Sequence, residues 1–377
     1  MNWIRLRAIA RKELLHIVRD ARSLALALAL PLVMLVLFGY ALSLDVDRIS
    51  TIVLDRDQTP QSRDLIQQLA GSNYFEVRGY AANYAETEKC INQSKCLMAV
   101  IVSEQFGADL LAGREAQVQV LLDGSDSNTA TIAQAYVNGL MANYQLTLRN
   151  AAQMQRGGGK MRPAVDARVR VWYNTDLKSR NYIVPGLIAV IIMIIAALLT
   201  SLTIAREWEN GTMEQLLSTP ARPAEIVLGK LSAFFLVGVF DMAVCLIIGI
   251  FFFDVPMRGN TFLLLFTCFV FLFGALCWGV FLSAATRNQL VAYQMGTLTS
   301  FLPAFLLSGF LYSVENMPIP IQLISAVVPA RYFISAMKGI FLKGIGLRLL
   351  WFEITLLIVY GGLVFIAATR KMRQKIA

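Results

Sequence analysis

The stretch of sequence that decides the fold is residues 181–205, which read NYIVPGLIAVIIMIIAALLTSLTIA without a single charge. A helix crosses the hydrocarbon core of a bilayer with about 20 apolar residues, so this stretch predicts a transmembrane helix. Of all 377 residues, 56% are hydrophobic and only 16% are charged, whereas about 25% are charged in an ordinary soluble domain. The composition therefore excludes a soluble globular protein. Continuous apolar runs also exclude a membrane β-barrel, whose strands alternate over about 10 residues.

On either side of this stretch, five further apolar segments bring the predicted number of transmembrane helices to six. They are residues 23–44, 231–253, 259–286, 288–314 and 349–369. The first could alternatively be a secretory signal peptide, but its apolar run exceeds the roughly 7–15 residues of a signal sequence, and its basic leader is too long. We therefore predict an α-helical membrane protein in which residues 181–377 hold helices 2–6.

Both ends of the chain are basic. Six Lys and Arg residues precede the first predicted span against two acids, and the tail from Arg370 has four Lys and Arg and no acid. Positively charged flanks stay in the cytoplasm, and six spans place both termini on one side, so charge and span count agree on cytoplasmic termini. These flanks explain the net charge of +9. Nucleic-acid binding is the alternative that a basic protein raises, and we expect no such partner.

Residues 1–22 predict an amphipathic helix before the first span. The apolar face consists of Trp3, Leu6, Ala10, Leu14 and Ile17, and the opposite face carries Arg5, Lys12, His16 and Arg19. Such a helix lies in the headgroup layer of the membrane, here on the cytoplasmic side. A short cytoplasmic helix packed on the bundle is the alternative, and the two interpretations are compatible.

Residues 45–180 form an insert long enough for a domain, and the predicted topology places it outside the cytoplasm. Strand-like segments at 49–54, 74–78, 97–102, 118–122 and 168–173 alternate with helix-like segments at 60–70, 104–111 and 129–150. This alternation predicts a compact α/β domain. Cys90 and Cys96 lie in the insert, and we predict a disulfide between them because the compartment permits oxidation.

The sequence carries no motif for a metal, a nucleotide or catalysis. His16 is the only histidine and no Cys/His cluster has zinc spacing, so neither a metal site nor a histidine-based triad is predicted. The run from Gly157 to Lys160 resembles a phosphate-binding loop only loosely, because Met161 stands where that motif needs Ser or Thr. The most polar cluster of the insert, residues 123–128, is explained by a turn that precedes a helix.

Residues 206–220, directly after the first stretch quoted, read REWENGTMEQLLSTP. Thr212 and Gln215 have the spacing of a capping box, which predicts a helix from Met213. Pro220 disfavours helix at the residue before it, so the helix has about two turns. A short helix held between two membrane helices has a suitable shape for docking into the groove of a partner. An ordinary structured turn is the alternative.

In order and spacing, this loop resembles the signature of ABC-2 type permeases, the membrane subunits of one class of ATP-binding cassette exporters. The matching residues are Arg206, Glu207, Gly211, Thr212, Gln215, Leu216, Leu217 and Pro220. Further similar motifs are Leu302-Pro303, Leu307-Ser308-Gly309, Met317-Pro318 and Pro329-Ala330-Arg331-Tyr332. The resemblance covers essentially the whole chain and is strongest to the bacterial subfamily linked to drug efflux.

The resemblance implies that residues 212–219 are a coupling helix that contacts an ABC ATPase subunit. We expect Met213, Leu216 and Leu217 to be buried against that subunit, with Glu207 and Glu209 contacting its basic residues. ATP and Mg²⁺ would be bound by that partner, so this chain would be a transport subunit and not an enzyme. Two permease chains, identical or related, would serve two ATPase subunits.

The resemblance further implies efflux of drugs or amphipathic small molecules through a dimer in the bacterial inner membrane. A periplasmic adaptor and an outer-membrane channel would be further partners in a Gram-negative source. Two other functions stay open: an ATP-independent secondary transporter, and a membrane-anchored sensor or assembly protein. The first would usually show inverted repeats or several ionisable residues within the spans, and the second would not need six spans.

Two further segments carry expectations. Asp241 interrupts the third predicted span, and we expect it to face the bundle interior or a dimer interface, because a lipid-facing acid costs roughly 2.5–3.5 kcal/mol. Residues 316–340 contain an uncharged run that is too short to cross the bilayer twice, so we predict an external re-entrant segment there. An apolar loop packed on the insert is the alternative.

Overall fold

The computed structural model describes residues 2–41, 48–125, 127–155, 173 and 178–373. The chain divides into two compact units. One consists of Met1–Ser43 together with Val171–Ala377, and the other of Leu44–Arg170. Each unit has its own hydrophobic core.

The helices and strands are numbered in chain order. In order they are α1 (Trp3–Arg19), α2 (Ala21–Ala41), β1 (Ile49–Asp55), α3 (Pro60–Ala70), β2 (Phe75–Tyr80), α4 (Tyr84–Asn92), β3 (Met98–Val102), α5 (Phe106–Leu111), β4 (Val118–Leu122), α6 (Ser127–Gln155), α7 (Ser179–Glu209), α8 (Thr212–Leu217), α9 (Pro223–Ile247), α10 (Thr261–Thr286), α11 (Gln289–Leu302), α12 (Ile319–Ser325), α13 (Pro329–Lys338) and α14 (Leu347–Arg373). Three π-helical turns, Ile248–Phe252, Pro303–Leu307 and Gly339–Lys343, extend α9, α11 and α13.

Five helices of the described residues are long and apolar enough to cross a membrane. They are Ser179–Glu209, Pro223–Phe252, Thr261–Thr286, Gln289–Leu307 and Leu347–Met372. In α2 the apolar part Ala27–Ala41 is shorter, and the pair Ile319–Ser325 and Pro329–Lys343 bends by 85° at its break. The predicted fold class is confirmed: a mostly helical membrane protein with five to six candidate spans, and an α/β region between the first helices and the later ones.

Helix α7 lies at the centre of the helical unit. It packs against α2, α9, α10 and α11, and almost every side chain from Ile183 to Ala197 is buried. This burial on all sides explains why residues 181–205 are apolar around the whole helix and show no polar face. Two hydrogen bonds join α7 to α10: the Thr200 hydroxyl donates to the Leu276 carbonyl at 3.0 Å, and the Ser283 hydroxyl accepts from the Ala205 N–H at 2.9 Å.

The segment predicted as re-entrant forms two short helices, α12 and α13, that meet at the 85° bend. The Ser325 hydroxyl donates to the Leu307 carbonyl at 2.6 Å, and the Lys338 ammonium donates to the Gly309 carbonyl at 3.1 Å. Both contacts tie this pair of helices to the end of α11, where Gly309 adopts a left-handed backbone with φ of 81°. Whether the segment re-enters the membrane from outside stays a prediction.

The second unit is built on a four-stranded sheet in the order β2-β1-β3-β4. Strand β1 runs parallel to β2 and β3, and β4 runs antiparallel to β3. Four predicted strands are present, but the strand predicted from residue 74 begins at Phe75 and continues to Tyr80, and the sequence analysis missed α4 as an element. The predicted strand 168–173, apart from Tyr173, and the run from Gly157 to Met161 lie outside the described residues.

Cys90 and Cys96 form a disulfide that joins the end of α4 to the start of β3. Their Cα atoms are 5.4 Å apart, within the usual range for a disulfide. The backbone N–H groups of Lys95 and Cys96 both donate to the Cys90 carbonyl, so a tight turn brings the two cysteines together. The free cysteines Cys245, Cys268 and Cys277 are buried within the helical unit.

We expect peptide mapping of the unreduced protein to recover Cys90 and Cys96 in one linked pair. The closed loop is short, so the disulfide contributes only about 2 kcal/mol by loop-closure entropy. Replacing both cysteines by serine should therefore leave the α/β unit folded. Alkylation of both thiols before reduction would contradict the pairing, with the buried Cys268 as an internal reference for a thiol that reacts only after denaturation.

Candidate functional site

The loop between α7 and α9 is the part of the chain on which the sequence analysis placed its functional residues. Helix α7 ends at Glu209, and Gly211 then adopts a left-handed backbone with φ of 68°. Glycine occupies this region at no steric cost, so the chain can turn sharply and begin α8 one residue later. After α8, Pro223 is the first residue of α9, and the Arg222 N–H donates to the Glu225 carboxylate at 3.1 Å.

The predicted capping box of Thr212 and Gln215 is wrong. Gly211 is the N-cap residue and makes no side-chain cap, while Thr212 is already helical. The Thr212 hydroxyl instead donates backwards to the Glu207 carbonyl at 3.3 Å, which satisfies an acceptor at the end of α7. The reason is the one-residue reversal at Gly211, because it brings the start of α8 beside the unpaired carbonyls of the preceding helix.

The apolar residues of α8 pack onto their own chain. Met213 is fully buried in the core of the helical unit, and Leu216 and Leu217 are partly buried against the same core. The expectation that Met213 is buried against an ATPase subunit is therefore wrong, since none of its surface is left for a partner. What α8 exposes is polar: Thr212, Glu214, Gln215, Ser218 and Thr219.

Beside the start of α8, four charged side chains form a cluster with three buried members and one exposed one, called here the Lys230 cluster: Lys12, Glu13, Glu207 and Lys230. The Lys230 ammonium, with 1% of its side chain exposed, lies 2.9 Å from Glu13 and 3.0 Å from Glu207. Lys12 lies 2.7 Å from Glu207 and 3.6 Å from Glu13. Two positive and two negative charges balance across the cluster, and Lys12, with 54% of its side chain exposed, is the member that reaches its surface.

The Lys230 cluster changes the assignment of two acids. Glu207 was expected to contact a partner, but its buried carboxylate pairs with Lys12 and Lys230. Glu209 accepts from the backbone N–H of Gln289 at 2.8 Å and so connects α7 to the start of α11. Arg206, in contrast, is half-buried, and its guanidinium makes no hydrogen bond or ion pair with any described residue.

Helix α1 is held against the start of α9 by contacts along its length. The Asn2 N–H donates to Glu225 at 2.7 Å, and Arg5 donates to the Pro220 carbonyl. A Cβ atom at Gly229 would lie 2.7 Å from the Ile9 side chain, so glycine allows the two helices to approach closely. Burial alone would lower the pKa of Lys12, but its hydrogen bond to Glu207 and the charges of Glu207 and Glu13 raise that pKa above the usual value.

The faces of α1 differ from the predicted ones. Ile9 and Glu13, which the predicted apolar face did not include, are its buried residues. Trp3 and Leu14 of the predicted face are exposed, and Trp3 has 72% of its surface free. The helix therefore packs on the bundle by one side and leaves a second apolar surface uncovered.

Asp241 lies in α9, where it is 5% exposed. One carboxylate oxygen accepts no hydrogen bond from the described residues. The side chain lines a cavity of about 10 Å³ together with Pro31 of α2 and Ile191 and Ile195 of α7. Asp241 thus points between three helices, and its role in a pathway or an interface stays a prediction.

We expect Lys230→Met to destabilise the helical unit by about 3–5 kcal/mol, because it leaves two buried carboxylates against one half-exposed lysine. The melting temperature of the purified protein should fall accordingly. Adding Glu13→Gln to Lys230→Met should restore part of the loss, since the cluster regains neutrality. Lys12→Met is the matched control, and its more exposed side chain should cost at most about 1 kcal/mol. Equal melting temperatures for the two lysine variants would contradict the role of Lys230.

Sequence comparison agrees with this arrangement. The family model described as ABC-2 family transporter protein matches residues 21–370. The probable multidrug ABC transporter permease YbhS of Escherichia coli (strain K12) is 33% identical over 345 residues, which cover 91% of this chain and 90% of the relative.

Two further relatives come from the same organism. The probable multidrug ABC transporter permease YbhR is 32% identical over 373 residues, 99% of each chain. The inner membrane transport permease YhhJ is 26% identical over 335 residues, 86% of this chain and 85% of the relative. The match spans both the helical bundle and the α/β unit, and the chain belongs to the ABC-2 family of transporter permeases.

Proposed function

We propose that this chain forms the translocation pathway of an ATP-driven exporter and is driven by a separate ATPase subunit that docks on α8. The observation that carries the proposal is that α8 packs on the bundle by its apolar side and exposes its polar side. Its buried Met213 and half-buried leucines fix it to the bundle, while its polar side remains free for a partner. A force applied to that side acts on the helices beneath.

The proposed coupling element is wider than the loop. Glu207 lies at the end of α7, Lys230 near the start of α9 and Glu13 in α1, and the three are joined by ion pairs of 2.9 and 3.0 Å. A push on α8 would therefore move these three helices together, because separating them would leave buried charges unpaired. Arg206, Gly211, Thr212, Gln215, Leu216, Leu217 and Pro220 complete the proposed coupling element.

Each permease chain has one α8 and would bind one ATPase subunit. Two ATPase subunits therefore require a second permease chain. Helix α11 supports such a partner, because its outward side chains Tyr293, Leu298 and Leu302 are 44–54% exposed. An uncovered apolar helix face in a membrane contacts either lipid or another helix. The second chain is identical to this one in a homodimer, or a related permease.

The proposed substrates are drugs or amphipathic small molecules, moved outward across a bacterial inner membrane. The printed names of YbhS and YbhR, probable multidrug ABC transporter permeases, support this class, and the name of YhhJ supports the inner membrane. Asp241, buried between α2, α7 and α9, is the proposed polar residue of the pathway or of an interface. A periplasmic adaptor and an outer-membrane channel would complete the route in a Gram-negative cell.

The docking proposal is tested on the intact complex. A tagged chain, extracted gently from membranes, should co-purify an ATP-binding subunit. Gln215→Arg places an unpaired charge at the centre of the exposed side of α8 and should weaken that association at least about tenfold, the effect of losing one interface hot spot. Leu216→Ala with Leu217→Ala, which loosens α8 on the bundle, should also reduce binding of the ATPase or uncouple hydrolysis from transport.

Gln67→Arg is the matched control, because it makes the same change at an exposed position of the α/β unit. It should co-purify the ATP-binding subunit at the level of the unmodified chain. If Gln215→Arg and the double alanine variant both retain ATPase binding and transport-stimulated hydrolysis, α8 is not the coupling helix. If no ATP-binding subunit is recovered at all, a secondary transporter or an anchored assembly protein becomes the better explanation.

The orientation is tested by labelling spheroplasts with an impermeant thiol reagent. The native cysteines give little background, since three are buried and two are bonded to each other. Ser125→Cys in the α/β unit should react before lysis, whereas Ser218→Cys beside α8 should react only after lysis; both positions are exposed. The reverse pattern would place the α/β unit in the cytoplasm and refute the proposed topology.

A further inference from the structure

A cleft of about 550 Å³ opens in the helical unit between α1, α2, α7 and α9. Its two ends differ in chemistry. The walls toward the middle of the bundle are apolar and include Leu24, Leu30, Leu198, Leu202 and Phe234. The other end lies beside the Lys230 cluster and includes His16 and Arg206.

One cation at the polar end is left without a partner. The charges of Lys12, Glu13, Glu207 and Lys230 cancel one another within ion-pair distance, and Asp20, the third acid that lines the cleft, has an interaction of its own. Arg206 lines the same end and is half-buried, and its guanidinium forms no hydrogen bond or ion pair within the described part of the chain. A guanidinium presents a planar fork of donors that matches a phosphate, so the cleft is complementary to an anionic group at this end.

The depth of the cleft matches one leaflet of a bilayer. From Arg206 inward, the cleft follows α7 to Ile195, which is about 16 Å at 1.5 Å per residue. The hydrocarbon core of a bilayer is about 30 Å thick, so the apolar walls extend through roughly half of it. A ligand that fills the cleft therefore has an anionic head and a chain about as long as the acyl chain of a lipid.

We propose that this cleft binds one anionic phospholipid, with its phosphate on Arg206 and an acyl chain along Leu202, Phe234 and Leu30. The site lies beside the ion pairs that hold α1 to α7 and α9, so a bound lipid would support the same joint. Only the choice of leaflet, the cytoplasmic one, rests on the proposed function and its orientation. The binding itself needs neither the ATPase subunit nor transport.

The test is native mass spectrometry of the delipidated full chain, titrated in detergent with phosphatidylglycerol or with phosphatidylcholine. The unmodified chain should bind one phosphatidylglycerol more tightly than phosphatidylcholine. Arg206→Gln should weaken phosphatidylglycerol binding roughly tenfold, the usual loss for one charged hydrogen-bonding partner, and should leave phosphatidylcholine binding unchanged. Arg206→Lys keeps the charge and should retain most of the affinity.

Arg11→Gln is the matched control, because Arg11 is an exposed cation of α1 outside the cleft. It should bind phosphatidylglycerol as the unmodified chain does. Leu202→Trp fills the apolar wall and should lower binding of both lipids, with the melting temperature measured to verify that the bundle is intact. If Arg206→Gln folds poorly, Leu202→Trp still tests whether the lipid lies in the cleft.

Equal affinity of the unmodified chain for the two lipids would overturn the proposal. So would unchanged phosphatidylglycerol binding in both Arg206→Gln and Leu202→Trp, or an equal loss in Arg11→Gln, which would indicate general attraction to the basic helix. If a dimer of the chain is observed and carries no bound lipid, a second chain closes the cleft. That outcome would also refute the proposal. Failure of ATPase docking leaves these measurements unaffected, so the two proposals can fail separately.

Discussion

The arrangement of the helical unit depends on pairing one almost fully buried lysine with two carboxylates. Lys230 has almost no exposed surface, and a bare ammonium there would cost several kcal/mol. The two carboxylates that offset this cost come from α1 and from the end of α7. The ion pairs thus require three segments, distant in sequence, to meet directly under the exposed loop helix, and they leave little freedom in where α1 can lie.

Helix α7 supplies the second constraint, because it is surrounded by protein and needs no polar face. Its residues from Ile183 to Ala197 are buried, and the small side chains facing it let neighbouring helices approach. At Gly279, for example, any Cβ atom would collide with the Thr200 hydroxyl. Close packing in the middle of α7 and charge pairing at its end therefore fix the same helix by two different means.

Hydropathy and turn residues predicted most of the helices and strands of this fold, but few of the contacts around α8. The spans follow from uncharged runs, and the strands from alternation between turns, because these signals are local. The Lys230 cluster was missed, since Glu13 and Lys230 are 217 residues apart and nothing local indicates that they pair. The prediction of a capping box failed for a related reason. Thr212 and Gln215 have the spacing of a capping box, but the left-handed turn at Gly211 places the Thr212 hydroxyl beside the end of α7, where it donates to the Glu207 carbonyl.

The three π-helical turns are distributed unevenly over the bundle. Those that follow α9 and α11 lie at the ends opposite α8, and the one after α13 lies beside the end of α9, where the Arg258 N–H donates to the Phe341 carbonyl at 3.1 Å. A π turn carries an extra residue that a regular α-helix does not accommodate, so each of these helices ends in a turn with a different hydrogen-bond spacing. The bundle thus has paired charges at the end beside α8 and irregular helical turns at the ends of α9 and α11 that lie away from it.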